Sequence, residues 1–144
     1  FRLGAIVAAD HPLAGRREVS FSTCAEHRLI LAKSDLSIHH LLAPVIARTR
    51  SPHKATLETS SVELALQMAK RGAGIAFQTR IGIEAELAAG SLVHLPLTDN
   101  GQVLSDLGVY VRSSRYLPVA VDAFVRALCE EIADRESRER AETV

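Results

Sequence analysis

Short apolar runs alternate along the chain with stretches whose apolar residues return every three or four positions. The stretch from Ala55 to Arg80 carries this alternation most completely. Ala55 to Thr59 is a β-favourable run. Ser60 to Glu63 has the S-x-x-E spacing of a capping box: the serine hydroxyl takes a free amide at the helix start and the glutamate reaches back. Val62, Leu64, Ala65, Met68 and Ala69 then recur at roughly helical spacing and predict one apolar face. Lys70 and Arg71 suit the negative end of the helix dipole. Gly72 suits the left-handed turn that stops the helix. Gly74-Ile75-Ala76-Phe77 reads as a strand covered on both faces. The pattern is a β-α-β unit. Ligands of open α/β sheets sit at the carboxyl ends of strands. Two edges of a cleft are therefore expected here. One is the end of the first strand with the start of the helix. The other is Gln78, Thr79 and Arg80.

The same reading extends along the chain. Leu3 to Ala8 is a strand, followed by a turn at Asp10 to Gly15 punctuated by Pro12 and Gly15. Ser22 is expected to cap a one-turn helix through Cys24 and Ala25. Arg28 to Ala32 is a second strand. Lys33 to Ser37 is a polar loop ending in an N-cap. Ile38, Leu41, Leu42, Val45 and Ile46 predict a helix of about three turns, bent at Pro44. Arg50 to Lys54 is a loop. Ile81 to Ala89 reads as a helix stopped by Gly90. Ser91 to Leu97 reads as a strand with Pro96 near its end. Thr98 to Gln102 is a turn-rich loop, and Asp106 to Arg112 is a long β-run. Pro118 opens a last helix whose apolar face is Val121, Phe124, Val125, Leu128 and Ile132. From Asp134 the charged tail is expected to be frayed or disordered. Alternating strands and helices indicate an α/β fold.

The 144 residues suit one domain, or one lobe with pieces of another, and 47% hydrophobic residues supply a core. The formal net charge is +0. Phosphate contacts need clustered positive charge, so this segment is not expected to touch nucleic acid. Aromatic residues are 4% and Trp is absent, which argues against a base-stacking platform. No apolar run approaches a membrane span, and no signal peptide is visible. Phe1 opens directly into a strand without an initiator Met, as in an excised piece. Cys24 and Cys129 read as reduced thiols of a cytosolic protein.

No catalytic constellation emerges. His39 and His40 are adjacent and point apart on a helix. His11, His27, His53 and His94 lack metal-ligand spacing. Gly72-Ala73-Gly74 follows a helix and precedes a strand, the reverse of a dinucleotide fingerprint. Cys24 near His27 has no orienting carboxylate. Neither an enzyme, a metal site nor a cofactor is expected.

The order of motifs resembles the effector-binding domain of LysR-type transcriptional regulators. The matching stretches are LGAIVAADHPLAGRREVSF, EHRLILAKSDLSIHHLLAPVIAR, ATLETSSVELALQMAKRGAGIAF, AAGSLVHLPL, and LGVYVR with SRYLPVAVDAFVRAL. The resemblance implies a two-lobed fold like that of type 2 periplasmic binding proteins, with much of the first lobe absent here. On it, residues 1–9 are the first crossover strand and 10–100 the second lobe. Residues 101–133 are the return strand and a first-lobe helix, and 134–144 the tail. The last helix, missing its partners, should expose Val121, Phe124, Val125 and Leu128 or bury them against another copy. Phe77-Gln78-Thr79 stands where the family often has an apolar-Pro pair, which changes the cleft lining.

The resemblance also implies a small effector, an organic acid, held between the lobes. The residues facing it would be Ser34, Asp35, Ser37, Ser60, Ser61, Val62, Phe77, Gln78 and Thr79. Two capped helix starts converging there would offer free amides to an anion. Pairing of subunits into a dimer or tetramer would use the Ile38–Arg48 helix and the Ala55–Thr59 strand. DNA would be bound only through a domain absent from this chain. The rival reading is a solute receptor for transport on the same fold.

Overall fold

The computed structural model describes residues 1–49, 53, 55–99, 101, 103–112 and 116–141. Most of the expected 50–54 loop and the last three residues of the tail lie outside these. The chain divides into two units, one formed by Arg2–Ser105 and the other by Phe1 with Asp106–Val144.

The first unit is a mixed sheet covered on both faces. Its elements are β1 (Gly4–Ala8), α1 (Phe21–Cys24), β2 (Leu29–Ala32), α2 (Ser37–Arg48), β3 (Ala55–Thr59), α3 (Val62–Lys70), β4 (Ala76–Gln78), α4 (Glu84–Ala88) and β5 (Leu92–Pro96). β1 is wholly buried and runs antiparallel between β4 and β5, with Ala5 opposite Phe77 on one side and Leu95 on the other. β2 and β3 are parallel, and Ala32 lies opposite Thr59. Ile75 joins the two groups. It bridges Leu29, donates to the Arg28 carbonyl at 2.8 Å, and accepts from the Ile30 amide at 2.8 Å. The resulting order is β3-β2-β4-β1-β5. The strands flanking α3 are thus not neighbours, because β2 lies between them.

Alternation along the strands separates two cores. Ala5 and Val7, Leu29 and Leu31, Ile75 and Phe77, and Leu95 and Leu97 join Ile38, Leu42 and Val45 of α2. Ile6, Ile30, Ala76 and Leu92 join Ala69 of α3 and Ile83. Continuous apolar runs in short strands require this double cover.

Local details follow the sequence with some shifts. Gly72 stops α3 at φ 71°. Pro44 lies inside α2. The cap of α1 is Ser20 rather than Ser22, its hydroxyl accepting from the Thr23 amide at 3.2 Å. The helix starts earlier because the Asp99 carboxylate takes the Phe21 amide at 2.7 Å and anchors the first turn. α4 is shorter than the expected 81–89 helix, since Gly82 sits at φ 82° and keeps the preceding turn out of the helix.

The second unit departs further. Asp106 to Arg112 forms no strand. Val109, Tyr110 and Val111 are exposed. α5 (Val119–Ala141) runs 23 residues, about 35 Å at 1.5 Å per residue. The charged stretch from Asp134 is therefore helical as far as Ala141 rather than frayed. Acidic residues stand four positions before basic ones in Asp122–Arg126, Glu131–Arg135, Asp134–Arg138 and Glu136–Arg140, the order that supports a helix. No residue of α5 is buried. Val121 and Phe124 are exposed, and Val125 and Leu128 half-buried.

Candidate functional site

The carboxyl ends of β2, β3 and β4 meet the start of α3 around a narrow cleft. It is lined by Ile30, Ala32, Leu36, Ile38, Thr59, Ser61, Val62, Ala65, Leu66, Ala76, Phe77 and Gln78. Its enclosed volume is about 20 Å³, room for roughly one water molecule. It is thus a narrow open cleft rather than a closed pocket.

The polar groups of this wall are few and held in place. Ser61, in extended conformation, is the N-cap of α3, and its hydroxyl accepts from the Leu64 amide at 3.1 Å. The Ser61 amide donates to the Thr59 hydroxyl at 3.0 Å. Val62 and Glu63 are the first two helical residues, whose N–H groups have no carbonyl to meet inside the helix. Gln78 ends β4, and its side-chain oxygen accepts from the Thr79 amide at 3.2 Å. Among the described residues, no Lys, Arg, Asp or Glu lines the cleft.

Two expectations are corrected here. The capping box from Ser60 to Glu63 does not form, because Ser61 caps the helix and Ser60 donates instead to the Asp35 carboxylate at 3.0 Å. The Thr59 hydroxyl, by holding the Ser61 amide, moves the helix start one residue on. Ser37 does not cap α2 either. The N-cap is Leu36, without a side-chain cap. His39 ties that helix start to the sheet, its Nδ1 donating to the Ala32 carbonyl at 3.0 Å.

Of the nine residues singled out in the sequence, Ser61, Val62, Phe77 and Gln78 line the cleft together. Asp35 and Ser60 are exposed and joined to each other. Ser37 is an exposed first helical residue, and Ser34 lines a different cavity. Thr79 is buried and does not line the cleft. Thr59, Leu36 and Ala65 were not singled out. Thr59 was legible as the polar last residue of a strand, and Ala65 as a small residue one turn into α3. Leu36 carried no signal, since an apolar residue in a polar loop reads as packing.

A doubly covered mixed sheet with a capped helix start at the carboxyl ends of three parallel strands is one lobe of a periplasmic-binding-protein-like fold. The chain matches the family model of the LysR substrate binding domain over residues 1–133 and belongs to that family. The family is one of LysR-type transcriptional regulators, which are not enzymes.

Among curated proteins, the chain is similar to the HTH-type transcriptional regulator BbuR of Bordetella bronchiseptica. The two are 31% identical over 77 residues, which is 54% of this chain and 24% of BbuR. Among solved structures, it resembles the CcmR regulatory domain of Synechocystis PCC6803 in complex with 2-PG. That match has a TM-score of 0.64 and 21% identity, and covers 88% of this chain and 61% of that one. The effector binding domain of QuiR in complex with shikimate gives a TM-score of 0.59 at 17% identity, over 87% and 58% of the two chains. The chain thus spans about a quarter of its curated relative and about three-fifths of these two domains.

Proposed function

We propose that this chain is the effector-sensing part of a cytoplasmic LysR-type regulator, and that its cleft forms one wall of a site for a small organic acid. The observation that carries this reading is the convergence of the Ser61-capped start of α3, Thr59 and Gln78 on an apolar cleft at the ends of β2, β3 and β4. With no cation among the described lining residues, an anion's charge is met by the amides of Val62 and Glu63, the Ser61 hydroxyl and the helix dipole. Ala32, Leu36, Ala65 and Phe77 receive the apolar body. Asp35, linked to Ser60, stands outside the lining, where Ser34, Ser37 and Thr79 contribute only to the surroundings. Shikimate, bound by the QuiR domain, is itself a carboxylate, which supports the ligand class.

Affinity in such sites comes from enclosure, so a second lobe closing on this wall completes the pocket. A ligand shifts the lobes toward closure only as far as it binds the closed state better. DNA contact belongs to a domain outside this chain, in keeping with the name of the relative BbuR. Subunits pair through α2 and β3, where β3 ends the sheet and presents an open edge. Among the described residues, no helix is long and apolar enough to cross a membrane.

The test is a gel shift of the intact regulator on the DNA upstream of its own gene, with a random-sequence competitor and a panel of small carboxylates. Specific retention altered by one acid, with that response weakened in Ser61→Ala, is the expected result. A folded protein that shows no retention above competitor removes the regulator reading. Retention that no acid alters removes the ligand class.

A further inference from the structure

A second cavity, of about 360 Å³, lies between α2 and the β2–β3 pair. Leu31, Ala32, Lys33, Ser34, His39, Leu42, Ile46 and Glu58 line it. Leu31 and Glu58 are register partners that both line it; of the next pair, Thr59 lines the first cleft and Ala32 lines both.

We propose that this cavity is a second small-molecule site that takes a zwitterion with an apolar body, of which free aliphatic α-amino acids are the simplest. Its volume falls in the range of about 300–1,000 Å³ usual for small-ligand pockets. The first cleft, at about 20 Å³, does not reach that range.

The lining divides by chemistry. Leu31, Leu42 and Ile46 give an apolar patch. Lys33 supplies one ammonium and Glu58 one carboxylate, and among the described residues neither is in an ion pair. The Ser34 hydroxyl both donates and accepts. His39 spends Nδ1–H on the Ala32 carbonyl, which leaves Nε2 as the ring nitrogen available to a ligand. A ligand carrying one charge would meet one matching and one repelling group. A ligand carrying both charges, with an aliphatic body between them and the helix, matches the whole lining. This chemistry differs from that of the first cleft, which among the described residues has no charged side chain in its wall.

Ala32 lines both cavities, and its carbonyl is held by His39. A ligand against His39 would therefore bear on the first cleft through a single hydrogen bond. The cavity also lies between the two elements proposed for subunit pairing, so a second copy of the chain is the rival occupant.

Isothermal titration calorimetry of the full chain with L-leucine tests the proposal. Its one-charge analogues 4-methylpentanoate and 3-methylbutan-1-amine serve as comparisons. L-leucine is expected to bind, and each analogue to bind at least about tenfold more weakly. Lys33→Met and Glu58→Gln are each expected to lose about tenfold or more while melting as the parent does. In nuclear magnetic resonance spectra the His39 imidazole nitrogens should shift on titration, and the Val62 and Glu63 amides should not be the principal responders. Absence of binding overturns the proposal. So does a response centred on Val62 and Glu63 in place of His39, which would put the ligand in the first cleft. Concentration-dependent self-association that protects His39 and blocks L-leucine overturns it in favour of a second copy.

Discussion

The hydroxyl of Ser60 donates a 3.0 Å hydrogen bond to the Asp35 carboxylate, tying the loop after β2 to the loop after β3. The serine next to it, Ser61, faces the other way and caps α3. Two adjacent serines thus divide two tasks, one joining loops at the surface and the other starting a helix.

That division predicts unequal costs. Ser61→Ala is expected to destabilise the chain by about 1 kcal/mol, the usual cost of a lost N-cap, and Ser61→Gly by only a few tenths. Ser60→Ala removes an exposed contact and should stay within about 0.5 kcal/mol. Urea denaturation followed by circular dichroism compares the three. A Ser60→Ala cost equal to that of Ser61→Ala would restore the capping box to Ser60.

Gly4 is required by close packing. A Cβ there would lie 2.4 Å from His94 Nε2 and 2.8 Å from the Leu95 carbonyl oxygen. Gly4→Ala is therefore expected to cost about 1–3 kcal/mol through overpacking, read as a lowered melting temperature. Adding His94→Ala should recover only part, because the backbone oxygen stays where it is.

His94 makes the fold sensitive to acid. Its Nε2 is buried without a hydrogen-bond partner among the described residues. Burial pushes the imidazole down to about 4, and the charge of Arg80 acts the same way. The folded value lies below the ordinary 6.5, so the unfolded chain takes the proton first as pH falls. Stability from this group is complete above about pH 6.5 and declines toward pH 4, by about 3 kcal/mol in all. His94→Leu should flatten that part of the profile. Denaturation midpoints of both proteins between pH 7 and pH 4 measure the difference.

The two thiols should react on different timescales. Burial pushes Cys24 up to about 12, with the nearby charge of Asp99 adding to the effect. Cys129 is exposed on α5. Because the thiolate is the reactive form, a disulfide reagent near pH 8 should titrate Cys129 quickly in the native protein. Cys24 should follow only on unfolding. Fast reaction of two thiols without denaturant would show that the core around Phe21 opens.

Local periodicity was enough to place α2, α3 and the strands of the sheet. Apolar residues on every third or fourth position, a glycine stop at Gly72, and short wholly apolar runs each express a local energy. Local energy could not choose between neighbours of the same kind. Ser60 and Ser61 have equal capping power, and Ser20 and Ser22 likewise. The choice fell to Thr59, which holds the Ser61 amide, and to Asp99, which takes the Phe21 amide across 78 positions of sequence. Asp106 to Arg112 has the composition of a strand, but a strand also needs an edge.

The sequence by itself determined the α/β class, the double cover of the sheet and the position of a cleft at the start of α3. These rest on periods and caps that a few consecutive residues specify. Only the tertiary structure decided that β2 would lie between β3 and β4, that His94 would stand over Gly4, and that Lys33, His39 and Glu58 would surround one cavity. Those relationships depend on strand order and register, which are settled by burying two apolar faces at once and by no single stretch of the chain.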